Sequence, residues 1–189
     1  MYKEKILEGC SVEVFKVNLQ ILEMENIHVF DIDSLSNKRI ANGIKSIGIP
    51  LFYLDHNLTS HAFWAAFQTE SEYGEQVHPM IVLSRDALSV DEDILLTIIA
   101  HELGHHMDFT ELFDSNYDRF LANYKEQPVY YEESAWVNAK YILEESTFNN
   151  WDTFYDKALH FLNSYYDNFN IPNCEREVFT EHLVNGVLV

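Results

Sequence analysis

Cysteine is nearly missing from this chain. Cys10 and Cys174 are the only two in 189 residues and lie far apart, which suggests neither a disulfide framework nor a cysteine-based metal site. Basic residues are scarce as well: 12 Lys and Arg stand against 31 Asp and Glu, a net charge of −19. Gripping nucleic acid by its phosphates needs clustered cations, so direct nucleic acid binding is not expected. Such acidity suits a solvated surface; a taste for basic partners, or mimicry of nucleic-acid charge, is the narrower reading. Long apolar runs are lacking too. The strongest, Ile94 to Ala100, is far too short to span a bilayer. The start, Met1-Tyr2-Lys3-Glu4-Lys5-Ile6-Leu7-Glu8, has no apolar core of the kind a signal peptide carries. A soluble, cytoplasmic protein without membrane contact is the expectation.

What remains is the composition of a folded globule. Hydrophobic residues make up 47% and aromatics 14%, with six Gly and four Pro, enough to build one well-buried core at this length. No repeat, low-complexity tract or linker-like run divides the chain. Residues 1–189 therefore read as one α+β domain, with a mixed part over about 1–88 and a helical part over about 89–189.

Periodicity fills in the elements. Ser11 is placed to cap a helix running to about Glu25, with Phe15, Leu19 and Leu22 on its inner face. Ile27 to Phe30 reads as a short strand. Ser34 opens a second helix, with Ile40, Ile44 and Ile47 spaced for burial and Gly48 and Pro50 ending it. Leu51 to Leu54 is a buried strand. His61 to Thr69 and Met80 to Ser84 form two further extended stretches, joined as a hairpin or meander by the polar segment Glu70 to Gln76. After Ser84 the period changes to that of a helix. Ser89-Val90-Asp91-Glu92 has the S-x-x-E form of a capping box, so the next helix should run from about Val90 to Asp108. Four more follow, roughly Ser115 to Glu126, Tyr130 to Ser146, Trp151 to Asp167 and Cys174 to Val184, with breaks at Pro128, Asn149-Asn150 and Pro172.

The capped helix carries His101-Glu102-Leu103-Gly104-His105, an H-E-x-x-H zinc signature. Histidines four residues apart share one helix face, about one turn along it, so both imidazoles can grip one ion. Glu102 sits to one side, where it can touch a water rather than the metal. A catalytic zinc usually takes three protein ligands and leaves a fourth position open. Asp108 and Glu111 stand where the metzincin spacing would require Gly and His, so that route to a third ligand is weak. His106 points about 100° away around the helix. Tyr131-Glu132-Glu133-Ser134-Ala135-Trp136-Val137-Asn138-Ala139 offers a carboxylate instead, on a helix that Ala135 and Ala139 allow to approach closely.

That segment, together with His101 to His105, resembles the ImmA/IrrE-like metallopeptidases, a gluzincin-type group found in bacteria, phages and mobile elements. The likeness covers about Ile81 to Ala139. It departs from the group at Trp136, where Asn often follows the first Ala. The resemblance implies a zincin-like fold, with a small, mostly antiparallel sheet packed on the H-E-x-x-H helix. It also implies one Zn²⁺ ion held by His101, His105 and Glu132, with Glu133 the alternative ligand. In the expected reaction the zinc-activated water gives its proton to Glu102, and a peptide bond is hydrolysed. The substrate would be a protein or peptide, by analogy an intracellular regulator, lying along Met80, Ile81, Val82, Leu83 and Ser84 as an added strand. Asp108 and Asn138 are the candidates for orienting the two histidines. Tyr155, His160, Tyr165 and His182 are the candidates for steadying the oxyanion. A catalytically silent zincin-like binding module is the competing expectation. Oligomeric state is not legible.

Overall fold

Among the described residues the strands come first in the chain and most of the helices follow them. The computed structural model describes residues 27–55, 61–71 and 74–185. Strands β1 (Ile27–Val29), β2 (Leu51–Leu54), β3 (Ala62–Ser71) and β4 (Gly74–Leu83) make one sheet in the order β1-β2-β4-β3. The helices are α1 (Lys38–Ile47), α2 (Glu92–Glu111), α3 (Tyr117–Glu126), α4 (Pro128–Glu144), α5 (Trp151–Phe169) and α6 (Asn173–Asn185). The class is mixed α+β with helix predominating. The helix expected from Ser11 to Glu25 lies outside the described residues. Among those residues, no helix is long and apolar enough to cross a membrane.

The sheet is mixed. β1 pairs antiparallel with β2, β2 pairs parallel with β4, and β4 pairs antiparallel with β3. β3 and β4 stay in register from Ala62↔Leu83 to Ser71↔Gly74, so the segment Glu70 to Gln76 is mostly strand rather than connection. Polarity alone does not end a strand when each backbone group finds a partner across a hairpin. β4 also differs from expectation in a way that bears on function. It is flanked by β2 and β3, and Met80, Ile81, Val82, Leu83 and Ser84 are all buried. Ile81, Val82 and Leu83 are paired to β2 on one side and to β3 on the other, so no substrate can add along that stretch as a strand. The free edge at this end of the sheet, among the described residues, belongs to β3.

Local signals were overruled in three places. Asn37, not Ser34, caps α1, its side chain accepting the Ile40 N–H at 3.2 Å, and Ile32–Ser34 forms a separate 3-10 turn. Ile40, Ala41 and Ile44 make the buried face, which turns Ile47 to its rim at 48% exposure. The capping box does not close. Ser89 ends a 3-10 helix over Arg85–Ser89, and Asp91 caps α2 without a side-chain hydrogen bond. Glu92 instead accepts the Ser36 N–H at 2.5 Å and the Ser36 hydroxyl at 2.6 Å. A carboxylate that should have capped its own helix ties α2 to the start of α1. Third, Ser115 lies before α3 in a left-handed conformation (φ 59°), and Asn116 caps that helix by accepting the Arg119 N–H at 2.9 Å.

α2 and α4 lie against each other nearly backbone to backbone. A Cβ on Gly104 would fall 2.2 Å from the carbonyl oxygen of Ala135 and 2.9 Å from its Cα. Ala135 and Ala139 are fully buried in that contact. Asp108 fastens it from α2: its Oδ1 accepts the Ser134 hydroxyl at 2.8 Å and the Asn138 amide at 2.9 Å. The Asn138 amide also reaches the Gly104 carbonyl at 3.3 Å. α5 covers this pair through Phe154, Ala158, Leu162 and Tyr166, one face at four-residue spacing and wholly buried. A smaller aromatic cluster of Phe109, Phe113, Phe120 and Tyr131 holds α3 to the ends of α2 and α4.

Two consequences can be measured. Gly104→Ala has no room for its methyl group and should destabilise the fold by about 3 kcal/mol in urea unfolding; a cost near zero would mean that the helices separate freely. Burial raises the Asp108 carboxyl from 3.8 to about 6, against the bonds from Ser134 and Asn138. Between those values the folded chain keeps a proton that the unfolded chain has lost, so this group's contribution to stability falls as pH rises. Asp108→Asn should therefore gain stability over the natural chain from about pH 4 to about pH 6 and hold level above, by on the order of 2 kcal/mol in chelator-treated protein. A difference that does not change with pH would contradict this.

Candidate metal centre

The close contact of α2 and α4 sets what lies one turn away from it. Glu132, three residues before Ala135, reaches both histidines of α2. His101 Nε2 lies 3.3 Å from Glu132 Oε2, and His105 Nε2 lies 3.5 Å from Glu132 Oε1. One ligand atom from each of the three falls within 4.8 Å of the other two. A tetrahedral zinc with bonds of about 2.0–2.1 Å holds its ligand atoms about 3.3 Å apart, so the spacing suits that ion. The donor set, two imidazoles and a carboxylate, is of a kind that catalytic zinc sites use.

The charge states suit it as well. Burial pushes the Glu132 carboxyl up, but the charges and hydrogen bonds of His105, His101 and Tyr124 outweigh it and hold the group at about 2. Burial depresses His105 to about 4, against the pull of Glu132. His101 goes the other way: burial opposes its charge, yet the hydrogen bond and charge of Glu132 raise it. An ionised carboxylate and a neutral imidazole are the forms that bind metal, and the His101 proton is the one a cation would displace.

Tyr124 of α3 fixes the carboxylate. Its hydroxyl donates to Glu132 Oε1 at 2.5 Å, a contact that nothing in the sequence signalled. The histidines are oriented differently. Nδ1 of His101 and Nδ1 of His105 are buried without a hydrogen-bond partner. The His101 ring stacks on the indole of Trp136, with centroids 4.1 Å apart and planes at 23°, and Trp136 stacks in turn on Phe161. Asp108 and Asn138, expected to orient these rings, are taken up with each other and with the α2–α4 contact. A packed indole holds His101 where an outer hydrogen bond was expected.

Glu102 is buried beside the cluster. Burial raises its carboxyl to about 7; the His101 charge opposes that, Glu132 adds to it, and a hydrogen bond from the Trp64 backbone opposes it. A carboxyl poised near neutrality can both take and return a proton. Its backbone partner belongs to β3, so the free strand edge borders the site.

Glu133 is not part of the cluster. One residue on, it turns to the other side of α4, where its Oε1 accepts the Tyr166 hydroxyl at 2.8 Å. His106 lies against Trp64 and Phe109 instead.

A cleft of about 850 Å³ opens over the cluster. His160 and Tyr165 line it, whereas Tyr155 points its hydroxyl at the Val184 carbonyl and His182 borders a separate groove. Burial and the nearby Glu132 charge push the Tyr165 hydroxyl up to about 12. Of Met80 to Ser84, no residue lines the cleft; β3 supplies Ala62 and Trp64 instead. Compared with protein-family models, curated proteins and solved structures, the chain matches none.

Calorimetric zinc titration separates the two glutamates. Glu132→Ala should weaken binding by more than about 100-fold, beyond the 10- to 100-fold typical of losing an outer partner, and Tyr124→Phe by about 10-fold. Glu133→Ala should leave affinity unchanged. The opposite order would move the ligand by one residue.

Proposed function

We propose that the chain is a zinc-dependent metallopeptidase that hydrolyses peptide bonds with Glu102 as general base. The observation that carries this reading is the meeting of His101, His105 and Glu132 beside a buried Glu102 whose carboxyl lies near neutrality. The likeness of His101 to His105 and of Glu132 to Ala139 to the ImmA/IrrE-like metallopeptidases supports it. That likeness extends the proposal to a zincin-like fold, a cytoplasmic setting and a regulatory protein as substrate.

His101, His105 and Glu132 would hold the ion, which supplies a Lewis acid for the scissile carbonyl and lowers the pKa of water at an open position. Glu102 takes a proton from the attacking water and returns it to the leaving amine. The backbone N–H of Trp64 and the walls of the cleft keep the Glu102 carboxylate in one orientation between these two steps. Tyr124 spends its hydroxyl on the ligand carboxylate, whereas Tyr165 lines the cleft beside it and keeps its proton, which makes Tyr165 the group to donate to a developing oxyanion. The free edge of β3, rather than β4, is the place for an extended substrate backbone.

A binding module without catalysis needs the ligands but has no use for Glu102. Glu102→Gln should keep zinc, measured by metal analysis, while losing about 10²- to 10⁴-fold in the rate of cleaving a peptide mixture. Zinc-loaded natural chain that cuts nothing in such a mixture would sink the enzymatic reading.

A further inference from the structure

The apolar face of α3 is split. Phe120, Tyr124, Tyr117 and Leu121 fall within about 100° of arc on one side of the helix. An amphipathic helix normally buries such a stripe completely. Here Phe120 is buried among Phe109, Phe113 and Tyr131, but Tyr117, Leu121 and Tyr124 are only half-buried and line the cleft. The stripe meets the metal cluster at one end. Tyr124 sits 6.0 Å from the His105 ring, Phe120 lies 6.1 Å from Tyr124, and Trp64 of β3 lies 5.0 Å from Phe120. These rings form a continuous wall leading away from a metal ligand.

The rest of the cleft sharpens the contrast. The only carboxylates lining it are Glu102 and Glu132, and no Lys or Arg lines it among the described residues. α5 adds polar groups to the cleft, with His160, Ser164 and Asn168 recurring at four-residue spacing beside Phe161 and Tyr165. A concave apolar surface opposite a few polar groups is the usual form of a site that selects a side chain by burying it. In a chain with 31 acidic residues, a wall this free of charge does not follow from composition.

We propose that the bay formed by Trp64, Tyr117, Leu121 and Tyr124 receives a large apolar side chain, aromatic or leucine-like, from the substrate residue next to the scissile bond. The neighbouring position follows from Tyr124, which touches both the bay and the ligand carboxylate. This inference rests on the peptidase reading, and Leu121, half-buried and aliphatic among aromatic rings, is the residue to vary.

Amino-acid hydroxamates test it by binding rather than turnover, since the hydroxamate seizes the metal and the side chain probes the bay. Zinc-loaded natural chain is titrated calorimetrically with the glycine, leucine and phenylalanine hydroxamates. Burial of the side chain predicts that the last two bind about 10- to 100-fold tighter than the first. Leu121→Asp should collapse that ratio to about threefold or less. Leu121→Trp, which fills the bay without charging it, should cut the phenylalanine preference more than the leucine preference. Equal affinities for all three hydroxamates in zinc-loaded natural chain would overturn the bay and leave the metal centre standing. Failure to load zinc would overturn both.

Discussion

Backbone contact between Gly104 and Ala135 is the constraint on which the site depends. Glutamate has a short side chain, and Glu132 must reach two imidazoles on a neighbouring helix. Helices packed through ordinary side chains lie 8–10 Å apart at their axes; with Gly facing Ala, the backbones themselves touch. Glu132, one turn before Ala135, is thereby delivered to both Nε2 atoms at once. The same contact removes the side chains that would otherwise fasten the helices. Asp108, Ser134 and Asn138 replace that missing packing with hydrogen bonds between the same two helices.

This arrangement concentrates ionisable groups where water is scarce. Burying an imidazole pair and two carboxylates together is costly unless each charge is compensated. Glu132 is compensated three times over, by His101, His105 and the Tyr124 hydroxyl. Glu102 has only the His101 charge and the Trp64 backbone N–H against its burial, and its carboxyl drifts up to about 7. The two glutamates differ by environment rather than by residue type: one is held in the charged form a cation wants, the other is poised to exchange a proton. The stacking of His101 on Trp136 belongs to the same economy, because an indole face fixes a ring without introducing another charge.

Local sequence made some of this legible and concealed the rest. The pair His101 and His105 is readable because helical period alone puts four-residue neighbours together. Glu132 and Glu133 are equivalent by propensity and charge; in the sequence only the likeness to the metallopeptidase group favours Glu132, and the geometry of the α2–α4 contact brings that residue, not Glu133, to the histidines. The S-x-x-E pattern at Ser89 misled because Glu92 found stronger donors at Ser36 and Asn37, fifty-odd residues away in the chain. The run Met80 to Leu83 misled for another reason. An unbroken apolar run marks a strand covered on both faces, and such strands lie inside a sheet, where their backbone is already paired. The alternating signal of an edge is weaker, so β3 went unread as the strand nearest the site. Tyr124 carried no signal at all, since its role arises only when α3 folds back over Glu132.

α3 therefore joins two tasks that might have been separate. Phe120 anchors the helix in the small aromatic cluster, Tyr124 holds the ligand carboxylate, and Tyr117 with Leu121 faces the cleft. These side chains lie on one helical stripe, so they move as a body. A ligand pressing on Leu121 also presses, through one turn of rigid helix, on the hydroxyl that orients Glu132. On the proposed peptidase reading, metal affinity and side-chain preference would be coupled through the ten residues of Tyr117–Glu126, and such a coupling is reciprocal by necessity: a side chain that tightens the metal is tightened by it in turn.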